Sequence, residues 1–101
     1  MDPAIPDIII SDVVVSTAGR DQGELFYVVD EDPIYLMLAN GKDRTLDKPK
    51  RKKRRHVQKV LRSETRVAQK ILSGDKVLNS ELRRDLAYLG QDMQSHNQGG
   101  F

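Results

Sequence analysis

The sequence contains no cysteine and no tryptophan. Neither disulfides nor a thiolate metal site can support the fold, and nothing points to an oxidising compartment. Long apolar runs are missing too. The longest, Ile8 to Ile10, Val13 to Val15 and Ile34 to Ala39, are far too short to cross a bilayer or form a signal-peptide core. A cytoplasmic protein without membrane association is expected. Catalytic residue types are scarce, since the two histidines are His56, inside a row of cations, and His96. No HExxH, GxSxG, phosphate-loop or DxDxDG pattern occurs, so neither an enzyme nor a cofactor is expected. Asp30, Glu31 and Asp32 are adjacent acids of the kind that ordinarily sit solvated in a turn, and no metal site is assigned to them. The five aromatics are Phe26, Tyr27, Tyr35, Tyr88 and Phe101. The first three read as packing groups, which leaves Tyr88 and Phe101 as weak candidates for stacking on bases.

Charge is what the chain has in quantity. The net +2 conceals a division after Asp47. Residues 1–47 hold ten acids against three bases, Arg20, Lys42 and Arg44, whereas residues 48–101 hold fourteen bases against five acids. Such separation implies one strongly positive side that attracts polyanions at long range, with an acidic face opposite. A length of 101 residues suits one small domain, which buries only about two thirds of the surface its unfolded chain exposes.

Along the chain, residues 1–10 read as an N-terminal extension, in which Ile8 to Ile10 can add a short strand. Val13 to Val15, Leu25 to Val29 and Ile34 to Ala39 carry β-branched and aromatic residues at strand length. Asn40-Gly41 is the strongest short hairpin signal, and a fourth strand is expected through Arg44, Thr45 and Leu46. Together these predict a small β-barrel or meander over residues 11–58. The middle strands are apolar on both faces: Phe26 and Val28 oppose Leu25, Tyr27 and Val29, while Ile34, Leu36 and Leu38 oppose Tyr35 and Met37. Something must cover the second face. Residues 59–90 supply a helical extension, with one helix through Val60, Leu61, Val67, Ala68, Ile71 and Leu72 ending at Gly74. A second, capped by Ser80, lines Leu82, Leu86 and Leu89 on one face and ends at Gly90. Residues 91–101 are polar and glycine-rich and predict a disordered tail.

The stretch DKPKRKKRRH, Asp47 to His56, places seven cations among eight residues from Lys48 to Arg55. In an extended segment successive side chains point to opposite faces, and an unpaired ammonium in a core costs several kcal/mol, so neither face is expected to be buried. Pro49 argues against a helix here. The run also satisfies a nuclear-import pattern, and a solvated tail is the plain reading of such a string. Its place between Leu46 and Val57, which can anchor strands on either side, favours a phosphate-binding wall instead, joined by Arg20, Lys42 and Arg44 from neighbouring loops. The loop STAGRDQGE, Ser16 to Glu24, has glycines at Gly19 and Gly23; these either reverse the chain or let main-chain N–H groups and Arg20 face a ligand.

The strand, loop, glycine and strand of SDVVVSTAGRDQGELFYVVDED resemble a KOW motif. With AGRDQG, ANGK and KPKRKKRRH in this order, residues 11–57 resemble the bacterial KOW-domain RNA-binding proteins, which are related to the large-subunit ribosomal protein family numbered fourteen in archaea and eukaryotes. Ser11 stands where such motifs often carry glycine, and Glu24 places an acid directly after Gly23. The resemblance implies a mainly β fold with some α: an SH3-like barrel of KOW type followed by one or two short helices. It further implies RNA binding without catalysis, commonly to ribosomal RNA. The expected contacts are Arg20, Lys42, Arg44, Lys48, Lys50, Arg51, Lys52, Lys53, Arg54, Arg55 and His56, with Gly19 and Gly23 shaping the loop. No small-molecule substrate is expected, and ribosomal proteins are further candidate partners. The alternative is an SH3-like interaction module that docks a ribosomal or transcription partner through Asp30 to Asp32 or through the Leu82, Leu86, Leu89 helix.

Overall fold

Extended structure begins where the β-branched residues cluster. The computed structural model describes residues 7–99, with side chains as far as Gln91. The lead-in at residues 1–6, the His96 side chain and Phe101 lie outside the described residues. Strands β1 (Asp12–Ser16), β2 (Leu25–Glu31), β3 (Tyr35–Ala39), β4 (Lys50–Lys53) and β5 (Val57–Arg62) form one antiparallel sheet of order β4-β3-β2-β1-β5. Helices α1 (Arg66–Ser73) and α2 (Asn79–Gly99) follow. Among the described residues no helix is long and apolar enough to cross a membrane.

The two apolar faces read from the sequence become two clusters. Phe26, Val28, Leu36 and Leu38 join Ile8, Val14 and Val57 on one face of the sheet. On the other, Val13, Tyr27 and Ala39 pack with Ala68, Leu82 and Leu86, so the helices are the cover that the second face requires. Tyr27 adds a polar tie at this layer: its hydroxyl hydrogen-bonds Ser63 at 2.9 Å and donates to the Asp85 carboxylate, which also accepts from Thr65 at 2.9 Å. Burial first, then the Asp85 carboxylate, pushes the Tyr27 hydroxyl up to about 12. Thr65 is also the N-cap of α1, accepting from Ala68 N, and Gly74 closes that helix in the left-handed conformation the sequence assigned to it.

Four local expectations are corrected. Ile8 to Ile10 form no strand; the chain turns there, with Asp12 N donating to Ile9 O, and Ile8 enters the core. Val60 and Leu61 belong to β5 and not to the first helix. A bulge in the β1–β5 pairing lies opposite them, and it lets these two neighbours both pack toward the helix side. No strand forms at Arg44 to Leu46, because Asn40 Oδ1 accepts from both Lys42 N and Arg44 N at 3.0 Å and winds the chain into a longer loop. Gly41 (φ 77°) then meets α2 so closely that a Cβ would lie 2.2 Å from Asn79 O. Finally, α2 starts at Asn79, one residue before Ser80, and runs through Gly90. A Cβ at Gly90 would meet Leu25 at 3.6 Å, an ordinary contact, and the glycine does not mark a helix end there.

Ser11 has φ 80° and is the one non-glycine residue at positive φ among those described.

Candidate nucleic-acid interface

The fourth strand is the basic run itself. Lys50–Lys53 is the edge strand of the sheet, with Lys50 opposite Leu38, Arg51 opposite Met37, Lys52 opposite Leu36 and Lys53 opposite Tyr35. A three-residue 3-10 helix, Arg54–His56, carries the chain directly into β5. The segment therefore has the period-two alternation of a strand, and its charges divide accordingly.

Lys50, Lys52 and Arg54 point toward partners. Lys52 is only 7% exposed, and its ammonium donates to Asp21 Oδ1 at 2.7 Å and to Ala18 O at 2.6 Å. Lys50 forms an ion pair with Asp21 Oδ2 at 2.8 Å, and that buried oxygen accepts no hydrogen bond of good geometry among the described residues. Arg54 donates to Asp32 O, Ile8 O and Glu31 Oε1, at 2.8, 2.9 and 3.0 Å, while Glu31 Oε2 accepts from Ile10 N. The expectation that neither face of the run could be buried is thus overturned. It treated the cations as unpaired, whereas two carboxylates distant in sequence neutralise the inward ones.

Asp21 is the centre of this arrangement. Burial alone raises the affinity of its carboxyl for a proton, but the hydrogen bonds from Lys50, Lys52 and Ser16 outweigh that and hold it far below the ordinary value of 3.8. It stays charged at any physiological pH. The loop carrying it is shaped by Gly19 (φ 86°) and Gly23 (φ 91°), with Ser16 Oγ 2.7 Å from Asp21 Oδ1 and Gly23 N donating to Ser16 O. Gly19 is also near Lys52, since a Cβ there would lie 3.6 Å from Nζ. Both glycines therefore serve the loop that clamps β4, and Arg20, next to Asp21 in that loop, is exposed.

Arg51, Lys53 and Arg55 are exposed, as is Lys48 just before the strand. No salt bridge engages these four among the described residues; Arg51 instead lies over the Tyr35 ring, 3.7 Å from its centroid. His56 is half-buried and its carbonyl accepts from Thr17 N, so it joins β5 to the end of β1. Lys42 and Arg44 are exposed but sit in the Asn40 loop, against α2. There Lys42 lines a concavity with Glu24, Asn40 and Arg83, whose guanidinium donates to Gly41 O at 2.6 Å. Arg20 is exposed in the loop whose Asp21 holds Lys50 and Lys52, while Lys42 and Arg44 lie in the Asn40 loop, where Arg83 adds a cation the sequence reading left out.

The acidic half does not form a separate opposite face. Asp12, fully buried, pairs with Lys59 and Arg62, while Asp21 and Glu31 pair with the basic run. Asp30 and Asp32 accept main-chain N–H groups of their own turn. Among the described residues no three acid or histidine side chains gather as a cation would require. No protein-family profile matches the chain, and no curated protein matches it.

Proposed function

We propose that this protein binds RNA, with ribosomal RNA the expected target, through phosphate contacts made by Arg20, Lys48, Arg51, Lys53 and Arg55 and without catalysis. The observation that carries this reading is the division of the basic run: Lys50, Lys52 and Arg54 are neutralised by Asp21 and Glu31, while Lys48, Arg51, Lys53 and Arg55 make no salt bridge among the described residues. A fold rarely fixes a strand by burying charge unless the strand's other face is wanted in one place, and a polyanion is the partner such a face fits. A backbone held rigid loses little entropy when phosphates bind. Lys50, Lys52 and Arg54 act here as positioning residues.

The finer fold reading is an SH3-like barrel of the KOW type. Its supports are the 3-10 turn leading from β4 straight into β5 and the cluster of Val14, Phe26, Leu36, Leu38 and Val57 gathered on one side of the sheet. Ser11 at positive φ, in a position where the motif carries glycine, also agrees with it. In cells the site of action is the cytoplasm, at the ribosome.

Crosslinking in living cells followed by sequencing of bound RNA tests the function. The wild-type chain should recover RNA well above a variant carrying R51E, K53E and R55E. Equal recovery from the two ends the reading. A second reading, a module that docks a ribosomal or transcription protein, draws on Leu72, Leu78 and Tyr88, exposed by 62%, 52% and 65% on and beside the helices. It predicts that the same variant keeps its protein partner and that L72E with Y88E loses it.

A further inference from the structure

We propose that Tyr35 and Arg51 form a shelf on which an unpaired RNA base stacks, so that the interface recognises single-stranded or bulged positions as well as phosphates. This deepens the RNA-binding reading and rests on it.

Arg51 and Tyr35 lie on the face of β3 and β4 that the inward cations leave open. The guanidinium carbon is 3.7 Å from the Tyr35 ring centroid, a contact between stacked groups and not between a side chain and a distant charge. Arg51 is exposed, so a base can reach its guanidinium group. Guanidinium planes stack on bases much as aromatic rings do, and one already supported by an aromatic ring is held in place before the base arrives. Tyr35 is half-buried, and neither it nor Met37 is among the side chains packed with α1 and α2, so the helical layer stops short of this corner.

The charges around the shelf decide which part of a nucleotide fits there. Lys53 stands directly opposite Tyr35 in the strand pairing. At the other side, Asp32 accepts from Ile34 N at 2.8 Å and Tyr35 N at 2.6 Å, and Asp30 stands opposite Met37 in the same cross-strand row as Arg51. These fixed acids repel a phosphate placed over the ring. A neutral base meets no such repulsion and can offer its exocyclic amino group to the carboxylates, while its phosphates run toward Lys53 and Arg55. An adenine, with a wide π-face and an amino donor, is the best match.

The test compares oligoadenylate with a duplex RNA of equal phosphate number, by filter binding to the full chain at two salt concentrations. R51K keeps the charge on an exposed site and removes the plane; Y35L keeps a strand-compatible apolar residue and removes the ring. Each should weaken oligoadenylate binding by about five- to thirty-fold more than it weakens duplex binding. R51K carries the test if Y35L folds poorly. Unchanged oligoadenylate affinity in R51K, or equal losses on both RNAs, overturns the shelf and leaves phosphate binding standing. Wild-type chain that binds neither RNA overturns the RNA-binding reading itself.

Discussion

Lys52 and Lys53 are consecutive, chemically identical and differently employed. Lys52 is 7% exposed and held by Asp21 and Ala18 O, whereas Lys53 is exposed and stands beside Tyr35. The contrast extends along the strand and into the 3-10 turn after it, Lys50 and Arg54 being paired with acids and Arg51 and Arg55 exposed. From Lys50 to Arg55, then, count matters less than parity. The even-numbered cations are tied to carboxylates, and the odd-numbered ones are exposed.

The largest effect that could break this comparison comes from removing the shared acid. Asp21→Asn strands two inward cations and should lower unfolding stability by about 2 kcal/mol in urea titration, less than the loss for a deeply buried pair because a freed lysine can extend from this surface loop to water. Asp21→Asn with Lys52→Met should regain most of that loss. Lys53→Ala should fall within about 0.5 kcal/mol of wild type. Equal losses for Lys52→Met and Lys53→Ala would erase the distinction between the two faces.

Acid titration sharpens the same point. The folded Asp21 carboxyl is held far below its ordinary value of 3.8, so its contribution is complete above that value and drains away as pH falls beneath it. The stability gap between wild type and Asp21→Asn should therefore be constant from neutral pH to about pH 5 and shrink below pH 4. A gap independent of pH down to 2 would show that the carboxylate charge is not what holds β4.

Tyr27→Phe provides a reference on the helix-covered face. Losing its hydrogen bonds to Ser63 and Asp85 should cost about 1 kcal/mol, additive with Asp21→Asn because the two ties share no partner. The smallest change is a gain. Ser11→Gly relieves the left-handed backbone and should stabilise by about 0.5 kcal/mol with RNA affinity unchanged, which thermal melting and filter binding together would check.

Much of the sheet was legible in the sequence because alternation encodes it directly. Leu25 to Val29 and Ile34 to Ala39 announced two apolar faces, and the need for a helical cover followed from that. Gly74 announced a helix end. The misreadings have different causes. Asn40-Gly41 looked like a tight hairpin, but the Asn40 side chain winds the chain into a longer loop. Gly90 looked like a terminus, yet α2 continues through it. The basic run looked unburiable because Asp21 lies thirty-one positions before Lys52, and nothing local marks that one acid as its partner. Charge pairing has no period, and so it escapes a reading built on periodicity.

The central claim, that parity sorts the cations, is tested most directly by the salt dependence of RNA affinity in two triple variants, R51Q with K53Q and R55Q, and K50Q with K52Q and R54Q. If each outward cation meets a phosphate, the first variant should keep wild-type stability while its slope of log K against log salt becomes shallower by about 0.7 to 0.9 for each lost contact. The second should lose stability first and, under conditions where it remains folded, keep a slope close to wild type. An equal flattening of slope in both folded variants would contradict the claim.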